Sequence, residues 1–304
     1  MTAMNTNFSI KPFLIILISA LVFSCNESKK VKEDVILTGE EKELDSLKRA
    51  TAEKVFFTIP SPIETAAILQ KSGAKYNIEI LNPVGNKDKY VTIKSKALNL
   101  GIYGADLSFT AIFDKSQEAM LYLSCTKKLS EDLGIIDAFD VDKIERIEAN
   151  LNNRDSLLVL ITESYFESDS YLKENERGNV SALMVLGGWI EGLHIATSVE
   201  KSLRASNGNE IMLGRIAEQK ISLENLIELV NVYDLDVPEI LQGLKELKIL
   251  FDTIEEKEVN TTVTVSSKES SIPTVGKTVS LKITTQQADQ ISSKVREIRN
   301  KIIS

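Results

Sequence analysis

Val180–Ala196 reads VSALMVLGGWIEGLHIA, apolar on nearly every side and interrupted by one acid, Glu191, and one histidine, His194. A helix that is apolar all round is enclosed by other elements, so this stretch predicts a central helix, at about 179–204, with further helices packed around it. As a membrane span it is short, and it carries two ionisable groups, which are costly inside a bilayer. The chain has one Trp and one His, and both Trp189 and His194 fall here.

On both sides of this stretch the signals stay helical, from Glu40 onward. Ser61-Pro62-Ile63-Glu64 is a capping box with proline at the first helical position, and Gly73 closes that helix. Asp114 to Gln117 starts another helix, which Gly134 ends, and Asp236-Val237-Pro238-Glu239 starts a third. In the third, Ile240, Leu241, Leu244, Leu247, Phe251 and Ile254 keep the helical period. Further helices are expected at about 96–113, 139–151, 154–173, 209–219 and 222–233. Residues 74–95 read as a long ordered loop with a helical turn. Leu100-Gly101 and Leu133-Gly134 repeat at a tetratricopeptide-like interval, but the other signature positions do not recur in register.

The fold class is therefore all-α, a multi-helix globular bundle over 40–258. Residues 259–285 are rich in Ser, Thr and Val, with alternation at Val263/Val265 and Val279/Leu281/Ile283. That composition suits a flexible linker, the favoured reading, or a small β-hairpin. A polar helix with apolar spots at Ile291, Val295 and Ile298 completes the chain over 286–304.

The central helix also holds the chemistry. Glu191-Gly192-Leu193-His194 has the Glu-x-x-His spacing that places both side chains on one helix face, as in helical di-iron carboxylate proteins. Those centres need a second such histidine, and this chain has a single one. What remains is a mononuclear metal or ligand site completed by Asp106, in an otherwise apolar segment, or by Glu163. The competing and favoured reading is structural, with Glu191 and His194 satisfying each other and their neighbours in the core. Gly101 and Gly104 on one helix and Gly187, Gly188 and Gly192 on another each cost roughly 0.5–1 kcal/mol relative to alanine. Either the two helices pack closely, or the missing side chains open a cavity lined by Tyr103, Asp106, Trp189 and Glu191. No catalytic residue and no cofactor is assigned: there is no phosphate loop, nucleophile elbow or cysteine cluster. Asp45-Ser46-Leu47, Asp155-Ser156-Leu157 and Asp252-Thr253-Ile254 match a three-residue bacterial O-glycosylation pattern, which is short enough to arise by chance.

At the amino end, Lys11 precedes an unbroken low-polarity run, Phe13–Phe23, of signal-peptide length. Leu21-Val22-Phe23-Ser24-Cys25 resembles a lipobox, the cleavage signal of bacterial lipoproteins. The resemblance implies removal of residues 1–24, acylation of Cys25 and a membrane partner held through the acyl chains. Residues 25–39 would form a tether. Asn26 is not the aspartate of inner-membrane retention, so the resemblance favours the outer membrane, with the facing side left open. Residues 60–200, notably KALNLGIYGADLSF (96–109) and GGWIEGLHIA (187–196), are similar to helical lipoproteins of Gram-negative bacteria, a likeness that implies location and no activity.

Of the 36 basic residues only Lys11 lies in the leader, leaving 35 against 44 acidic side chains. That balance repels phosphate backbones, so no nucleic-acid partner is expected. With Cys25 acylated, Cys125 has no disulfide partner, and its stripe with Leu121, Tyr122 and Leu129 marks it as a core residue. The expected role is a membrane-tethered binding or accessory component of the envelope, with a protein partner there left open. The alternative is an envelope enzyme or metal-dependent binder centred on Glu191 and His194.

Overall fold

The computed structural model describes residues 39–136, 141–206, 208–267 and 270–304. The expected signal segment, Cys25 and all but the last residue of the tether lie outside them. In chain order come helices α1 (Gly39–Thr58) and α2 (Pro62–Ser72), and 3-10 turns at Ile78–Ile80 and Val84–Lys89. Helices α3 (Ile93–Ile112), α4 (Ser116–Asp132), α5 (Val141–Ala149) and α6 (Arg154–Glu174) follow. Then come α7 (Gly178–Ser202), α8 (Gly208–Val232), α9 (Pro238–Asp252), a hairpin of β1 (Glu255–Ser267) and β2 (Ser270–Lys282), and α10 (Thr285–Ile303). The all-α bundle is the observed architecture.

Its axis is the pair α3 and α7, the most extensive helix–helix contact. The apolar sequence of α7 is long enough to cross a bilayer, yet 78% of its most apolar stretch is buried inside the protein. Helices α4 and α6 flank α3, α8 and α10 flank α7, and α9 bridges α8 and α10. Helix α10 is polar overall, but Ile291, Val295, Ile298 and Ile302 recur on one stripe and all four are buried. Each such burial contributes roughly 1.5–3 kcal/mol, enough to hold a helix whose exposed face is charged.

The α2 capping box forms as expected: Ser61 Oγ accepts from Glu64 N–H at 3.2 Å, and the Glu64 carboxylate accepts from Ser61 N–H at 2.9 Å. Helix α4 starts differently. Asp114 takes φ +54° in the α3–α4 turn, and Lys115 holds the N-cap position without a side-chain bond. Leu121 is 52% exposed and leaves the stripe, while Tyr122, Cys125 and Leu129 are buried in it. The thiol of Cys125 approaches the Val84 carbonyl at 3.7 Å, and burial pushes its pKa up to about 11. Where two helices were expected at 209–219 and 222–233, α8 runs unbroken, because Ser222 turns its hydroxyl back to the Gln219 carbonyl at 3.1 Å and leaves the helix intact. The ordered loop expected at 74–95 is present with two 3-10 turns but ends at Thr92, whose side chain caps α3, so residues 93–95 are helical; Leu81, Asn82 and Tyr90 anchor the loop in the core. The Ser/Thr/Val-rich segment is a hairpin, with antiparallel pairing from Glu255↔Lys282 to Ser267↔Ser270, and not the linker its composition favours.

Candidate functional site

Helix α7 separates two environments. At 3.6 residues per turn, Trp189 and Glu191 point to roughly opposite sides. The Glu191 side meets α10, α3 and the 74–95 loop; the Trp189 side borders a cleft.

On the first side Glu191 is wholly buried and paired with Arg299 of α10, whose Nη2 donates to Oε1 at 2.8 Å while Nε donates to Oε2. The fork geometry of guanidinium and carboxylate satisfies both charges at once, which a buried ion pair requires. Arg299 Nη2 also reaches the Ile80 carbonyl at 3.4 Å, an oxygen shared with His194 Nε2 at 3.1 Å. Because a carbonyl only accepts, His194 carries its proton on Nε2. Burial, with Arg299 adding to it against the opposing pull of Glu191, holds the His194 pKa below the ordinary histidine value. Its Nδ1 has no partner among the described residues.

Asp106 of α3 joins this cluster. Its Oδ2 accepts from Asn82 N–H at 3.1 Å, while Oδ1 has no donor. Burial first, then the neighbouring Glu191 carboxylate, push the Asp106 pKa well above the carboxylate range. A protonated Asp106 fits both observations, because a neutral carboxyl beside the Glu191 carboxylate removes the like-charge conflict in the core. Asn82 continues the network, donating from Nδ2 to Tyr90 Oη at 3.0 Å, and Asn99 Nδ2 donates to the Ile302 carbonyl at 3.0 Å. Loop 74–95, α3, α7 and α10 are thus tied at one point.

Three of the four predicted ligands, Glu191, His194 and Asp106, therefore do come together. Glu163 is exposed on α6, outside this buried set. Glu191 and His194 do not satisfy each other: each has its own partner, and the cation facing Glu191 is Arg299. No group of three His, Cys, Asp or Glu side chains among the described residues has the arrangement of a metal site. Arg299 was missed in the sequence, although its position follows from the buried stripe: it adjoins Ile298 and lies eight residues beyond Ile291.

The second side is a cleft of about 260 Å³ walled by α2, α3, α6, α7 and α8. Trp189 lines it with its indole N–H satisfied by Ser222 Oγ at 3.0 Å, so the ring face is free to meet an apolar group. Tyr103, Asp106 and Glu191 do not line it, contrary to the expectation from the sequence. Tyr103 is wholly buried on the polar side and donates to the Pro83 carbonyl at 2.9 Å.

The glycines divide between the two structural reasons. A Cβ at Gly187 would stand 1.9 Å from the Leu98 carbonyl oxygen, and one at Gly101 2.0 Å from that of Met184. These two glycines let the α3 and α7 backbones touch. Gly104 makes room for the Tyr165 ring, whose hydroxyl would lie 1.7 Å from an added Cβ. Gly192 differs: a Cβ there meets nothing within 4 Å, and the residue lines the cleft. The missing side chain leaves open space.

No protein-family model, curated protein or solved structure matches this chain.

Proposed function

We propose that this protein is a lipid-anchored component of the bacterial envelope that holds a small apolar guest in the cleft beside Trp189. The observation that carries the reading is the cleft itself, walled almost wholly by apolar side chains beside Trp189, with the exposed Gly192 on its wall and nothing within 4 Å of where a Cβ there would stand. A cavity of about 150 Å³ lined by apolar side chains already holds benzene, and this one is larger, at about 260 Å³. Anchoring through Cys25, with the outer membrane favoured, rests on the Leu21–Cys25 sequence and on Asn26. The polar cluster on the other face of α7 serves the fold: Arg299 takes the place beside Glu191 that a bound cation would need, so no metal or enzymatic role is assigned to it.

The test uses the single Trp as a reporter. Titration with N-phenyl-1-naphthylamine, an uncharged apolar fluorophore, should quench Trp189 emission saturably as energy passes to the bound dye. Gly192→Leu fills the cleft without meeting a neighbour at Cβ, so it should weaken binding at least tenfold while leaving the melting temperature equal or higher. Equal binding by both proteins would rule out the cleft as the site.

A further inference from the structure

We infer that the guest is a single-chain amphiphile with a carboxylate head, a fatty-acid-like molecule whose tail fills the cleft and whose head meets Arg215. The inference rests on the cleft being a binding site and names what it selects. Arg215 of α8 is the one charged side chain among the described residues that line the cleft. It stands where the apolar cavity adjoins a second, more open one of about 430 Å³, and Arg215, Gln219, Ile59, Pro60 and Ile68 belong to both walls. The second cavity is polar, bordered by Glu64, Lys71 and Glu218. A tail-sized apolar space thus ends at one guanidinium and opens into a polar vestibule.

The guanidinium is available. Only its Nη1 is engaged among the described residues, with Glu218 at 2.7 Å, and both side chains of that pair are about half exposed. Such a surface pair contributes little, and four of the five guanidinium N–H donors remain for a carboxylate. The planar fork matches a carboxylate in bidentate fashion, which an alcohol head cannot use. Phe166, 53% exposed on α6, adds an apolar rim along which a chain can enter.

The experiment is displacement of N-phenyl-1-naphthylamine by dodecanoate, 1-dodecanol and dodecylphosphocholine, each below its aggregation threshold, from wild type and Arg215→Gln. Arg215 is exposed enough that the variant should fold normally, and retained dye binding verifies this. Dodecanoate should displace the dye from wild type at least tenfold more strongly than dodecanol does. Arg215→Gln should remove that advantage and leave dodecanol unchanged. Equal competition by the two in wild type, or stronger competition by the phosphocholine, would overturn the carboxylate assignment while the cleft itself stands. Failure of the dye to bind wild type would overturn the cleft reading and this inference together.

Discussion

Replacing Arg299 by methionine should lower the melting temperature by on the order of 10 °C, the shift that ~3–5 kcal/mol produces in a domain of this size. The change leaves the Glu191 carboxylate wholly buried with no counter-charge. Glu191→Gln should cost a similar amount by stranding the guanidinium. The double variant, Glu191→Gln with Arg299→Met, should recover most of the loss, because no buried charge remains. A cycle in which the single losses simply add would refute the pairing. The same cluster has a pH signature. Asp106 keeps its proton in the folded state well above the carboxylate range, while the unfolded chain releases it near the ordinary aspartate value of about 4. Between those two values the unfolded state binds fewer protons at this site, so the stability that Asp106 contributes should fall as pH rises. Asp106→Asn keeps the donor and the acceptor without a titrating proton. Its melting temperature relative to wild type should therefore climb as pH rises above about 4, and a flat difference would mean that Asp106 is ionised in the fold.

The second large effect belongs to the α3–α7 contact. Gly187→Ala and Gly101→Ala each place a methyl about 2 Å from a backbone oxygen of the facing helix, so the two backbones must separate. Overpacking of this kind costs ~1–3 kcal/mol and more where backbone, not side chain, must yield. Gly192→Ala, in the same helix, should instead gain ~0.5–1 kcal/mol, the ordinary benefit of alanine over glycine in a helix interior. Urea denaturation of the three variants separates the cases. Equal effects at Gly187 and Gly192 would contradict the distinction between close packing and open space.

How far the sequence reaches follows from which physics is local. The enclosure of Val180–Ala196, the α2 capping box and the α10 stripe are written in period and cap chemistry, and the structure shows all three. The unbroken course of α8 past Ile221 and Ser222 was not legible, because a polar mid-helix residue reads as a boundary until its hydroxyl is seen returning to the Gln219 carbonyl. Glu191 and His194 were legible as a buried pair of polar groups, but their partners were not. Arg299 lies 108 residues from Glu191, and the Ile80 carbonyl 114 from His194, and backbone oxygens carry no sequence signal. The five helical glycines signalled either contact or cavity. Only the position of the facing backbone decides which, assigning Gly101 and Gly187 to contact and Gly192 to the cleft.

Occupancy of that cleft in the cell is best read by native mass spectrometry of the full chain, extracted from its own membranes in a detergent of distinguishable mass. The wild type should begin at an acylated Cys25 and carry, in addition, a non-covalent guest that Gly192→Leu lacks. A wild type as empty as the variant, or the same guest on both, would contradict the assignment of the cleft.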